Sequence, residues 1–423
     1  MAQATPASPP LSPVGPPLSI DLQEAIRLAR TYNQQFLTSG IGVAIAQESR
    51  KQAKAALLPN VSAINQYIFT QPNNTDTAVY LANNGVHEFI EQANVHGEVF
   101  SVTKQAVYRR SLVAEATARA RVDVATRGLI VVVAQRYYTL VLAQRHLLNA
   151  RTSLDEARQF ETLSQRQEQG GEVAHSDVIK AQLQTRQRER ELVEAQAGVD
   201  KAAVDLAVLL FADVTQQFTV VDDIVMEIPL PGDAKSMQQS VLSNPDVRTA
   251  ESNVREAEFG VKAARGEFFP TISVDYFFGI DANVFKIHGP DGRQNVGSSV
   301  ATSVTVPVFN WGATRSRVRE AQLQQQQAQV DLNATRRQAQ ADVTTQYLEL
   351  RAAQAQLQSL RDSVNAAAES LRLTNLRYQG GEATALEVVD AQNTAVLARD
   401  ALDTGLARAR VATVNLQVLT GTF

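Results

Sequence analysis

Glu387 and Asp390 stand three positions apart in LEVVDAQNTAV, a stretch of helical period, so both carboxylates fall on one helix face. Two acids so placed offer electrostatics rather than acid-base catalysis. On the wall of a narrow passage they draw cations in and turn anions away. On an outer helix face they are only solvated charge. Nothing else in the chain assembles a reactive centre. His87, His96, His146, His175 and His288 lack the spacing of metal ligands and read as surface or capping residues. No Walker-type or GxGxxG loop occurs, so any energy input has to come from a partner. The expected catalytic residues, metal ligands and cofactors are therefore none, and an enzyme reading would need a deep pocket of perturbed titratable groups.

The elements that position the acidic pair come from a duplication. Asn33–Pro59 returns in outline as Asn244–Pro270, and Gln169–Gly170–Gly171–Glu172 returns as Gln379–Gly380–Gly381–Glu382. Two anchors in the same order, about 210 residues apart, mark a unit repeated as half a protein and not as a solenoid module. The halves are expected around an axis, with a first repeat at 19–210, a connector at 211–243 and a second repeat at 244–423.

Composition narrows the class. A formal charge of −4 gives no basic footprint for nucleic acid, and the absence of cysteine removes disulfides, thiolate metal sites and a lipidated cysteine anchor. There is no run of ~18 apolar residues, so a membrane could be entered only by strands. The leader 1–18 is Pro-rich, without the basic start or apolar core of a secretory signal. Ala2–Gln3–Ala4 reads either as the scar of a removed signal or as an ordinary Ala-rich start.

Prolines are missing between Pro72 and Pro229 and after Pro307, which allows very long helices. In the second half Leu350, Ala353, Leu357, Leu360, Val364, Ala367, Leu371, Thr374 and Tyr378 step by alternating threes and fours, as a coiled-coil seam does. Leu129, Val133, Tyr137, Leu140, Gln144 and Leu147 keep the same rhythm. A helix from near Arg109 to Gln169 would be roughly 90 Å long, far more than a bilayer needs. Gly170–Gly171 and Gly380–Gly381 then reverse the chain into helices near Ser176–Leu210 and Thr384–Leu419. Shorter helices are expected near Leu22–Leu57, interrupted around Tyr32 and Asn33, and over Asn244–Phe268. The Gln-rich run Gln322–Gln329 keeps helical spacing, and Arg186–Glu194 reads as a mixed-charge solvated surface.

Between short and long helices lie strand-like segments. Ile272, Val274, Tyr276, Phe278 and Ile280 alternate with polar or small partners, as do Val300, Thr302, Val304, Val306 and Val308. Weaker counterparts are expected at Val61–Thr70 and Glu98–Val107, with polar loops at Gln71–His96 and Asp281–Gly297. These give hairpins over about 61–107 and 271–308. Segments of about ten residues with this alternation match transmembrane barrel strands, although soluble sandwiches share the pattern. Four strands cannot close a barrel with a passage, so either the sheet packs on helices or several chains pool strands. Because the helices have their own seam, pooling explains more.

The order short helix, Leu58–Pro59 or Phe269–Pro270 stop, strand hairpin, SVTVPVFNWG (Ser303–Gly312), long helix, Gly turn and return helix resembles the TolC-like outer-membrane efflux family. The resemblance runs from about Ile20 to Gly421, most specifically at Pro307–Gly312 and Arg377–Ala391. It implies a mixed all-α and membrane β-barrel fold: long antiparallel coiled-coil helices form a periplasmic α-barrel, and four strands from each of three protomers form a twelve-stranded barrel. It implies a homotrimer in outer-membrane lipid, extending into the periplasm and served by a periplasmic adaptor (membrane fusion) protein and an inner-membrane transporter. The duct would serve efflux or type I secretion. By position Glu387 and Asp390 match an acidic pair at the periplasmic constriction, where three copies would make carboxylate rings. Asp177 and Tyr378 match residues that hydrogen-bond between neighbouring hairpins, while Ala383 stands where some members carry a gating Arg. The tips Gly170, Gly171, Glu172 and Gly380, Gly381, Glu382 resemble adaptor-docking surfaces, although QGGE also simply reverses a helix. Trp311 and Tyr276 fit an interfacial aromatic belt or packing at the strand-helix junction. The rival from another class is a soluble coiled-coil scaffold without a pore.

Overall fold

The computed structural model describes residues 18–71, 85–225, 244–289 and 292–423. The leader 1–17 and parts of the first strand loop and of the connector lie outside these residues. The described chain divides into two compact units that cut across the sequence repeat. One takes the described residues within 18–39, 122–245 and 336–423, and the other those within 40–121 and 246–335.

The helices are α1 (Leu22–Tyr32), α2 (Gln34–Ala55), α3 (Val102–Gln169), α4 (His175–Leu210), α5 (Pro245–Gly266), α6 (Ala313–Gln379) and α7 (Ala385–Thr420). The expected interruption falls at Asn33. Its side chain accepts from the Phe36 amide at 2.9 Å and starts α2 afresh. Asp21 caps α1 in the same way through the Glu24 amide at 2.7 Å.

In the first unit the seam residues are interior. Leu129, Val133, Tyr137, Leu140 and Leu147 are buried on α3, as are Leu350, Ala353, Leu357, Ala367, Leu371 and Tyr378 on α6. Leu360, Val364, Thr374 and Gln144 are half-buried. Leu206 and Leu210 of α4 and Leu406 and Val414 of α7 close one core with Leu129, Val133, Tyr137, Leu140, Ala353 and Leu357, while Tyr378 near the tips and Ala367 with Leu371 belong to separate smaller clusters. Strand β1 (Leu18–Ile20) pairs in parallel with β4 (Phe218–Val220), the extended piece of the connector. The Tyr137 hydroxyl donates to the Val221 carbonyl at 2.6 Å, so a buried phenol fastens the connector to α3. Burial pushes its pKa well above the usual tyrosine range, and it remains a neutral donor.

The second unit holds one antiparallel sheet in the order β2-β3-β5-β6, formed by β2 (Asn60–Phe69), β3 (His87–Phe100), β5 (Thr271–Ala282) and β6 (Val296–Thr305). Two expectations for it need correction. The second strand of the first hairpin is His87–Phe100 and not Glu98–Val107, so the loop is much shorter than Gln71–His96. Ser101 explains the shift. Its hydroxyl accepts from the Lys104 amide at 3.3 Å and its carbonyl from Gln105, so the first SVT begins α3 while the second, at Ser303–Thr305, ends β6. The long helix accordingly starts at Val102 and not near Arg109. At the other edge β6 stops at Thr305, because Pro307 has no amide hydrogen for the ladder.

The register sorts the sheet into two faces. Cross-strand pairing places Tyr67, Phe89 and Val95 on the same face as Tyr276, Phe278, Val300 and Val304. The opposite face carries Asn60, Ser62, Asn94, His96, Asp275, Ser299 and Ser303. Val61, Tyr67, Tyr276, Phe278, Val300 and Val304 are exposed. His96 Nδ1 meets Asp275 Oδ1 at 2.7 Å across β3 and β5, a polar contact on the polar face. Gly279 is required where these strands meet: a Cβ there would lie 2.0 Å from the Glu91 carbonyl oxygen. No described helix is long and apolar enough to cross a membrane.

Candidate functional site at the hairpin tips

Both helical reversals use one backbone solution. At the first, the Glu172 amide bonds the Gln167 carbonyl at 2.9 Å and Gly171 sits at φ +77°. At the second, the Glu382 amide bonds the Arg377 carbonyl at 2.8 Å and Gly381 sits at φ +75°. This is the Schellman arrangement, which needs a left-handed residue and so selects glycine. Gly170, Gly171, Glu172, Gly380, Gly381 and Glu382 are all exposed.

The side chains around the tips differ. In the second tip Thr384 and Glu387 form a reciprocal capping box, with Glu387 Oε1 accepting from the Thr384 amide at 3.1 Å. Arg377 reaches over the turn to the Glu382 carbonyl at 3.0 Å and to Glu387 Oε2 at 3.4 Å. The Thr384 amide, then its hydroxyl and Arg377, hold the Glu387 carboxyl below the usual carboxylate range. At the equivalent start of α4, Ala174 supplies no side-chain cap. Asp177 there pairs with Lys180 at 3.0 Å. The first tip is fastened instead by Glu168 to His175 at 2.6 Å.

Glu387 is thus a helix cap as well as a candidate pore acid. Asp390 is exposed one turn further along the same face. Asp177 and Tyr378 are not bonded to each other. Tyr378 is 1% exposed and shares a 3.0 Å hydrogen bond with Ser164 of α3, while its carbonyl accepts from Gln167 at 3.2 Å. Phe160 packs edge-on against its ring. Burial raises the phenol pKa and keeps it protonated.

Further along, the two hairpins are joined by charge. Arg145 bonds Asp403 at 2.9 Å and Asp222 at 2.7 Å, and Asn149 bonds Asp403 at 3.0 Å and Asp400 at 2.8 Å. Arg399 meets Glu156 at 2.8 Å. Arg188 is 5% exposed and bonds Asn393 and Glu191, which corrects the expectation that Arg186–Glu194 is wholly solvated. Arg188, Asn393 and Asp400 of this set line a half-open cleft of about 490 Å³ between α3, α4 and α7, together with His146, Ser153, Glu191 and Leu397 among others. Sequence reasoning missed Arg145, Asn149, Arg188, Arg377 and Ser164, because charged or hydroxyl residues beside a heptad seam look like its solvated flank. Trp311 is 91% exposed with φ +56°, so it is not packed at the strand-helix junction within the chain.

Long hairpins with twin glycine tips and an amphipathic four-stranded sheet are the features by which the fold can be compared with known ones. Residues 237–422 match the family profile described as outer membrane efflux protein. The chain is 25% identical over 399 residues to the toluene efflux pump outer membrane protein TtgC of Pseudomonas putida, covering 90% of this chain and 78% of that protein. It is 26% identical to the outer membrane protein OprJ of Pseudomonas aeruginosa, over 77% of this chain and 67% of that one. The crystal structure of the Campylobacter jejuni CmeC outer membrane channel superposes with a TM-score of 0.83 at 17% identity, covering 95% of this chain and 85% of that one. The chain is thus similar to outer-membrane efflux proteins over most of its length, and it has the fold of their channels.

Proposed function

We propose that this protein is the outer-membrane exit duct of a tripartite efflux or type I secretion system, conducting substrates passively from an inner-membrane pump and periplasmic adaptor to the exterior. The observation that carries the reading is the sheet: four antiparallel strands with one polar and one exposed apolar face, and two edges with no strand partner among the described residues. Unpaired edges on a greasy sheet are satisfied when copies pool their strands into a closed barrel in lipid. Three copies give twelve strands, an even number wide enough for a lumen. The two repeats, 19–210 and 244–423, then supply two similar hairpins per copy, six in the trimer, with 211–243 as the connector. Glu387 and Asp390 would line the constriction as rings of three, and the six exposed glycine tips would receive the adaptor. The Tyr378–Ser164 bond would hold neighbouring hairpins together in the narrow state.

Bilayer recording tests the reading. Detergent-purified protein should run as a trimer and insert as a conducting unit with a cation preference. A protein that is monomeric and soluble in plain buffer, and silent in bilayers, is the pore-free scaffold instead.

A further inference from the structure

The duplication supplies a template for how one copy meets the next. Within a chain the first hairpin, α3 and α4, meets α7 of the second hairpin through both of its helices: Asn149 to Asp403, Arg145 to Asp403 and Glu156 to Arg399 from α3, and Arg188 to Asn393 from α4. In a closed ring of alternating hairpins, the second hairpin of one copy meets the first hairpin of its neighbour by the same rotation, now through α6 and α7 against α4. Matching the repeats by their glycine tips gives each intrachain contact a counterpart. Asn149 corresponds to Ser359, Arg145 to Ala355, Glu156 to Ala366 and Arg188 to Ala398, while Asp403 corresponds to Val193, Arg399 to Glu189, Asp400 to Arg190 and Asn393 to Leu183.

The counterparts are chemically different from the originals. Val193 and Leu183 are 70% and 65% exposed, and Ala355, Ser359 and Ala366 are exposed on α6. Glu189 is already held by Arg158 and Arg186 of its own chain. The seam inside the chain is therefore ionic, whereas its repeat-related surface presents the apolar Val193 and Leu183 beside Glu189 and Arg190 on α4, and small side chains on α6.

We propose that copies of this chain join by seating Val193 and Leu183 of one α4 against the small side chains of the neighbour's α6 and α7, Val193 at Ser359 and Leu183 near Ala398. The occupant is a second copy because the chain already contains the matching contact, and the apolar knobs face small counterparts in the same register. A joint of this kind holds at high salt, since it buries no ion pair, whereas the intrachain seam loses strength there. The inference rests on the trimeric duct reading and adds its contact residues.

Absence of cysteine makes the test clean. The double variant Val193→Cys with Ser359→Cys, treated as the detergent-solubilised full chain with a short thiol cross-linker, should give covalent dimers and trimers. Either single variant should give none, and Val193→Cys with Leu376→Cys, roughly 25 Å further along α6 at ~1.5 Å per residue, should give none. Val193→Asp should lower the trimer fraction at least several-fold while the helical circular dichroism stays unchanged. A trimer that forms without the 193–359 link, or links equally well through the control pair, overturns this seam and leaves the duct standing. A parent chain that is monomeric in detergent and silent in bilayers overturns both.

Discussion

The Tyr378 and Ser164 hydroxyls lie 3.0 Å apart with Tyr378 almost wholly buried, so a hydrogen bond between neutral side chains joins the Gln167 bond to the Tyr378 carbonyl in pinning the end of α6 to α3. Such a bond adds only about 1 kcal/mol, but the hydroxyl left behind when one partner goes costs about 1–3 kcal/mol. Ser164 is itself 0% exposed. Tyr378→Phe should therefore loosen the two tips from one another and lengthen the open dwell times of single channels. Tyr378→Phe with Ser164→Ala should be closer to the parent in thermal stability than Tyr378→Phe alone. A single variant with parental gating and melting would remove the bond from the latch.

Glu387 has two tasks to separate. Its folded-state pKa is depressed by the Thr384 amide first, and then by the Thr384 hydroxyl and Arg377. The stabilisation from that carboxylate is fully present above the ordinary carboxylate pKa of about 4.3 and is lost as pH falls through the lower folded value. Glu387 should thus stay charged, and keep favouring cations, into mildly acidic solution. Asp390→Asn should reduce the cation-to-anion permeability ratio without disturbing the α7 start. Glu387→Gln should reduce it too, while Gln at N3 preserves much of the cap. Reversal potentials in a salt gradient decide the matter, and an unchanged ratio in the double variant takes both residues out of the pore.

How much of this was legible in the sequence depends on which force fixes each element. The glycine tips and the alternating three-four seam were readable, because a positive φ demands Gly and a seam demands apolar periodicity. Strand β3 was not, because Glu91 and His87 sit on its apolar face and blur the period of two. Ser101 misled for a different reason: SVT is equally good as a strand end and as a helix start, and only the Lys104 and Gln105 amides decide between them. The partner choices of Arg145, Arg188 and Tyr378 depend on helices distant in sequence. Local pattern cannot specify which acid or hydroxyl will face them.

Arg145 should matter most among the seam charges, because it holds Asp222 in the connector and the nearly buried Asp403 of α7 together. Arg145→Ala leaves Asp403 with Asn149 alone, and a charge-assisted bond of this kind contributes about 1.5–3 kcal/mol. Melting of the detergent-solubilised protein should fall by several degrees, with the loss growing smaller at high salt as the parent's own ion pairs are screened. An equal loss at all salt concentrations would point to packing and not charge.

The two sheet faces predict opposite responses to one charge at adjacent positions. Val300 pairs with Tyr276 on the apolar face, and Ser299 pairs with Phe277 on the polar one. Lysine at Val300 would meet hydrocarbon in the assembled barrel, a cost of about 2–4 kcal/mol per chain near the bilayer midplane and less toward its edges. With three copies the penalty is repeated around the ring, so Val300→Lys should sharply lower the yield of inserted trimer. Ser299→Lys faces the water-filled side, where it should leave assembly intact and shift selectivity toward anions. Membrane fractionation and conductance read the two outcomes separately. Equal tolerance at both positions would mean that the register does not divide the sheet between lipid and lumen.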